Sequence, residues 1–112
     1  MTELLEVVRL PAAPLEAEQV FLSEHLQTAQ RMMAKADLLI MLPSADHTHR
    51  AWRLAVVQEL ARAAAPRRVN MIAGTDRKAI SATAEFLATA EGVTGQYLIT
   101  DGPGVDFAVS SP

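Results

Sequence analysis

No cysteine occurs among the 112 residues, so disulfides and thiolate metal sites are excluded, and thiol content says nothing about compartment. Aromatic side chains are scarce, with three Phe, one Trp and one Tyr. Half the residues are nevertheless apolar, so the core has to be aliphatic, assembled from Ala, Leu, Val, Ile and Met. Basic charge is not in excess. A net charge of −3 and a pI near 5.5 leave no surface ready to displace counterions from phosphates, which argues against a nucleic-acid partner. No apolar run approaches the roughly 20 residues that a membrane helix needs. The opening MTELLEVVRL, with Glu3 and Glu6 in its first turn of chain, does not read as a secretory signal. The expectation is one cytoplasmic domain spanning residues 1–112, without membrane contact.

What is present alternates between two periodicities. Residues 4–10 (LEVVRL within them) are rich in β-branched side chains and predict a short strand, ended by Pro11 and Pro14. From Glu16 to about Lys35, Ala17, Val20, Phe21, Leu26, Ala29, Met32 and Met33 recur at spacings that mark one helical face. Residues 37–42 (DLLIML) form a continuous apolar run, the pattern of a parallel strand buried on both faces. Pro43 stops it, and Ser44 or Asp46 can cap a second helix reaching about Ala65. That helix is apolar over most of its circumference, which predicts burial on more than one side. Residues 68–72 (RVNMI) predict a third strand. Thr75 or Asp76 can cap a third helix to about Ala90, with Gly92 as its C-terminal glycine. Residues 96–100 predict a fourth strand, followed by a turn-rich tail, flexible from about 105 to 112.

The order β-α-β-α-β-α-β predicts an α/β fold with a four-stranded parallel sheet, a half-Rossmann unit. Nearly all crossovers of this kind are right-handed. In a sequentially ordered sheet every helix would then lie on one face. The other face has to be covered by the third helix crossing over, by the tail, or by a second subunit. This is an argument for an oligomer that rests on geometry alone.

Three stretches resemble short-chain dehydrogenases/reductases: RMMAKADLLIMLPS, AVVQELARAAAPRRVNMIAG and AISATAEFLATAEGVTGQYLITDGP. They cover about residues 28–104, in the family's order, and TGQYLITDG is the most specific of them. The resemblance implies the carboxyl-terminal half of a Rossmann-type reductase. The departures from the family's pattern are equally informative. The pyrophosphate cradle G-x-x-x-G-x-G is missing, the first glycine being Gly74. The family's Tyr-x-x-x-Lys pair would fall at about Asp46 and Arg50, in the sequence Asp-His-Thr-His-Arg. The one tyrosine, Tyr97, lies in the last strand. The expectation is therefore a truncated pseudoenzyme, without cofactor and without hydride transfer.

The resemblance also implies what this half retains, because the family's two long helices around the DLLIML-like strand pair with those of another subunit. Phe21, Met32, Trp52, Val56 and Leu60 are the expected contacts in a homodimer or homotetramer, or with a related full-length reductase. The same helix could instead be buried within the monomer. A second possibility is a small-ligand or nucleotide site at the carboxyl ends of the strands, with Ser44, His47, Thr75 and Asp76 as its polar members. His47 and His49 are two apart and diverge on a helix, so no metal is expected. Asn70 is expected to tie backbone groups together, and Thr94 and Asp101 to make turn hydrogen bonds.

Overall fold

A computed structural model describes residues 1–100, so Asp101 and the tail expected to be flexible lie outside the described residues. Four strands, β1 (Thr2–Glu6), β2 (Asp37–Leu42), β3 (Val69–Ala73) and β4 (Tyr97–Ile99), form one sheet in the order β1-β2-β3-β4. Every pairing is parallel, as the alternation of elements predicts. No helix among the described residues is long and apolar enough to cross a membrane.

The first strand sits earlier than the 4–10 expected, although Val7 still donates to the Met41 carbonyl. The long helix expected over 16–35 is two helices, α1 (Pro14–Glu24) and α2 (Leu26–Met33). The break falls at His25, whose φ of −121° leaves the helical region. No glycine or proline marks that position, so nothing in the local composition announces it. A 3-10 turn, His47–His49, leads into α3 (Arg50–Ala64), and α4 (Arg77–Thr89) follows β3. Asp46 and Asp76 cap their elements as expected, accepting from Thr48 N–H and Lys78 N–H at 2.9 Å each.

Strand register sorts the core into two layers. Leu38, Ile40 and Leu42 of β2 lie beside Val69, Met71 and Ala73 of β3, facing α1, α2 and α3. Leu39 and Ile72 point to the opposite face, where Leu98, Leu87, Ile80 and Ala84 join them under α4. Such interleaving is why β3 is buried at all five positions. Helices α3 and α4 both carry the chain one strand further in the same direction, but on opposite faces. Their crossovers therefore have opposite hands, and the three crossovers cannot all obey the right-handed rule. Of the covers expected for the second face, the third helix is the one observed.

Polar joints hold that crossover. Arg68 donates through its backbone N–H (2.9 Å) and Nε (3.1 Å) to the Asp37 carboxylate. Its Nη1 donates to the carbonyls of Leu87 and Ala90 at 2.8 and 2.7 Å, which caps the end of α4. The return loop is pinned to β3 as well. Asn70 donates to the Val93 carbonyl and accepts from Gln96 N–H, each at 3.0 Å, and Thr94 accepts from Val69 N–H. Gly95, rather than Gly92, carries the left-handed conformation, with φ at 72°. A Cβ there would sit 3.4 Å from that of Ala61.

The Arg68 backbone N–H, acting against the opposing effect of burial and helped by the guanidinium, holds the Asp37 carboxyl below its ordinary 3.8. A folded-state value below the unfolded one means that this stability is present above pH 3.8 and is lost as pH falls through the lowered value. Asp37→Asn is expected to cost about 1–3 kcal/mol at pH 7, because two Arg68 donors lose a charged acceptor. The cost should shrink when urea unfolding is repeated near pH 3. An equal cost at both values of pH would show that the charge contributes nothing.

Candidate functional site

The carboxyl ends of β1, β2 and β3 are where open α/β sheets receive ligands. The loop after β1 is VVRLPAA, residues 7–13, and the loop after β2 carries Pro43, Ser44, Ala45 and Asp46. Two pockets flank this edge. The one on the α4 side holds about 270 Å³ and is bounded by Glu6, Val8, Met41, Ser44, Thr75 and Arg77. The other, on the α3 side, holds about 450 Å³ between the two loops and reaches His49 and Arg53. Val8, Pro43 and Ser44 border both.

Ser44 and Thr75 both border the smaller pocket. Asp76 is engaged in capping α4, and His47 is exposed on the 3-10 turn outside both pockets. Thr48 donates its hydroxyl and N–H to Asp46, which holds that carboxyl below the usual carboxylate range. His49 is not the solvated residue its place in a cap suggests, being only 4% exposed. Its Nδ1 lies 3.1 Å from Trp52 Nε1–H, which can only donate. Its Nε2 lies 2.9 Å from the Ala12 carbonyl, which can only accept. The two partners together select the neutral ring with its proton on Nε2. His49 is thereby a tie between the β1–α1 loop and α3.

Arg53 is the residue that the sequence reading missed. It is 1% exposed, among the most deeply buried side chains. Both hydrogens of Nη1 are committed, one to the Pro43 carbonyl at 2.9 Å and one to Tyr97 Oη at 3.0 Å. Its guanidinium carbon lies 5.6 Å from the Trp52 ring centroid and 5.7 Å from that of Tyr97. Nε is buried without any hydrogen-bond partner. No carboxylate among the described residues pairs with it. A signal existed in the spacing. His49, Arg53, Val57 and Ala61 recur every four residues, and this stripe faces the core.

The residues expected at a subunit contact lie elsewhere than on a free surface. Phe21 is fully buried, and Trp52, Val56 and Leu60 are 7, 9 and 5% exposed, with Met32 half-buried. Phe21 and Trp52 meet with ring centroids 5.9 Å apart, where α1 folds over α3. Phe21 and Trp52 are interior to the helical layer, while Val56 and Leu60 also reach its outer side. Outside it runs an apolar groove of about 400 Å³ between α1–α2 and α3, whose lips include Leu22, Leu26, Ala55 and Ala63.

The strand-end loops do not fit a dinucleotide pyrophosphate. The loop after β1 has no glycine to let backbone N–H groups approach the phosphates. Helix α1 begins at Pro14 without a side-chain cap and carries Glu16 in its first turn, where a carboxylate repels an anion. The described residues contain no cluster of three or more His, Asp or Glu that could hold a metal ion.

His49→Ala removes both ties at once and is expected to cost about 1–3 kcal/mol, since it leaves Trp52 Nε1–H and the Ala12 carbonyl unmet. Urea unfolding followed by Trp52 emission measures this. A midpoint unchanged from wild type would mean that water replaces the histidine without loss.

A family model described as "SDR-like: Short chain dehydrogenase-like protein" matches residues 5–100. No curated protein and no solved structure matches the chain. The match runs from the end of β1 through β4 and agrees with the parallel sheet: this chain belongs to the short-chain dehydrogenase-like family.

Proposed function

We propose that the chain is a non-catalytic member of its family that works by association, with a second copy of itself as the first partner and a related full-length reductase as the other. The observation that carries this reading is the groove between α1–α2 and α3. Its floor is apolar, from Met33, Val56 and Leu60, and Leu22 stands 42% exposed at its lip. Burial of Phe21 and Trp52 inside the layer does not remove the surface that the family's subunits use. It moves the contact outward, to Leu22, Leu26, Ala55 and Ala63. Exposed alanines on α3 let a partner helix approach closely, as helix packing requires.

The chemistry of a reductase finds little support in these residues. Positions 46 and 50 carry Asp46 and Arg50, and Asp46 is engaged with Thr48. The single tyrosine, Tyr97, has its phenol buried against Arg53 on the last strand. The loops at the strand ends lack a cradle for the cofactor's phosphates.

Native mass by light scattering tests the association. Wild type is expected to be a dimer or larger at micromolar concentration. Leu22→Glu and Ala55→Glu, both exposed positions, should each give a monomer with the melting temperature changed by no more than a few degrees. A monomeric wild type would overturn the reading. An assembly broken by Leu4→Lys but not by these two would place the contact at the open edge of β1.

A further inference from the structure

We propose that the pocket of about 450 Å³ between the β1–α1 and β2–α3 loops binds a small organic acid through one carboxylate, with Arg53 as its receptor. The inference goes beyond the association proposed above and does not depend on it.

A guanidinium keeps its charge in any protein environment. Burying that charge is costly unless an anion and further hydrogen bonds accompany it. Arg53 is 1% exposed, and its two observed acceptors, a carbonyl and a phenol, are both neutral. The rings of Trp52 and Tyr97 offset part of the cost but carry no net charge. Arg53 Nε has no hydrogen-bond partner among the described residues. With Nη1 saturated, the side of the fork that includes Nε is the one left for an incoming anion. That side has the geometry to grip a carboxylate with two parallel hydrogen bonds.

The rest of the pocket narrows the class of ligand. Arg53 borders it directly. Val8, Leu10, Pro11 and Ala45 give it apolar walls, so the acid group should sit on an apolar body. Among the charged lining residues, Arg9 and Arg53 are balanced in part by Asp46, whose carboxyl is kept ionised by Thr48. His49 is held as a neutral ring by Trp52 and Ala12. One net positive charge remains, which suits a monoanion better than a phosphate dianion.

Trp52 is the one tryptophan of the chain, and its ring lies against the Arg53 guanidinium, so its emission reports on the site. The full chain is titrated with sodium benzoate, with benzamide as the uncharged analogue and inorganic phosphate as the dianionic one, at constant ionic strength. A saturable change in Trp52 emission is expected with benzoate in the millimolar range that so small a molecule allows. Benzamide should give none, and phosphate a response at least about tenfold weaker. Arg53→Met should abolish the benzoate response while unfolding at or above the wild-type temperature, since the buried charge is gone.

Val8→Asp covers the case in which Arg53→Met fails to fold. Val8 is 71% exposed and borders the pocket, so the added carboxylate should leave the fold intact and weaken benzoate about tenfold or more. Equal responses to benzoate and benzamide would overturn the proposal, as would benzoate binding undiminished by Val8→Asp. A wild type that ignores benzoate while Asp101→Asn/Asp106→Asn binds it would also overturn it, by assigning the counter-charge to the chain's own carboxylates.

Discussion

A parallel sheet has no face that water can be left to solvate, because its strands are continuous apolar runs. The whole architecture answers that constraint. Sequential strand order with crossovers of one hand would stack α1, α2, α3 and α4 together and leave Leu39, Ile72 and Leu98 bare. The chain instead sends α4 to the other side, and Arg68 makes that crossing durable. Its guanidinium and backbone N–H bind Asp37 at the amino end of β2, and the same side chain takes up two orphan carbonyls at the end of α4. One residue thus joins β2, β3 and the only helix on that face among the described residues. The apolar cluster under α4 has four fully buried members, so packing alone gives that layer a modest hold, about 2 kcal/mol for each large side chain at best. The polar joint matters more there than in the thicker helical layer opposite.

The cover provided by α4 is incomplete. Its partners lie on β2, β3 and β4, and Leu4 of β1 remains 54% exposed on the same face. Strand β1 is also an open edge among the described residues. Val7 N–H and the Met1 carbonyl engage β2, so by alternation Thr2, Leu4 and Glu6 turn their backbone groups outward. Glu3 and Glu6 place charge on that strand, a common device against indiscriminate pairing. Edge and groove therefore differ in kind. The edge offers backbone groups flanked by charge, whereas the groove between α1–α2 and α3 offers an apolar floor, with Glu18 and Glu59 among its lining residues.

Much of this was legible in the sequence, for reasons that can be named. Strand and helix order followed from DLLIML and RVNMI set between helical periodicities, and both aspartate caps followed from their place before those helices. Asn70 was recognisable as a backbone tie because an amide inside an apolar strand must find partners. The break at His25 has one faint signal, the step of five from Phe21 to Leu26 in a face that otherwise steps by three or four, but no breaker stands there. Of the residues expected at a contact, Phe21 and Trp52 meet inside the helical layer, whereas Val56 and Leu60 line the floor of the groove. Periodicity says that a helix buries two sides, but not whether its own chain or another fills the second. Here Phe21 of α1 fills it.

Arg53 shows the same limit from the polar side. Composition puts an arginine on the wet side of a helix, and the polar residues around α3 made that natural. The four-residue stripe of His49, Arg53, Val57 and Ala61 says the opposite, and the structure follows the stripe. Nothing in the packing demands a charge at that position. A methionine has comparable reach, needs no acceptor, and replaces buried ionic groups elsewhere without loss of fold. Tyr97 and the Pro43 carbonyl could be joined by water. What a guanidinium adds, and an apolar chain cannot, is a fixed positive field at the carboxyl ends of the strands, beside the pocket between the two loops. In the enzymes this family resembles, that end of the sheet is where phosphates and substrate are met by backbone N–H groups. In this chain the loops after β1 and β2 hold no glycine, and a side-chain cation lies beside the same edge.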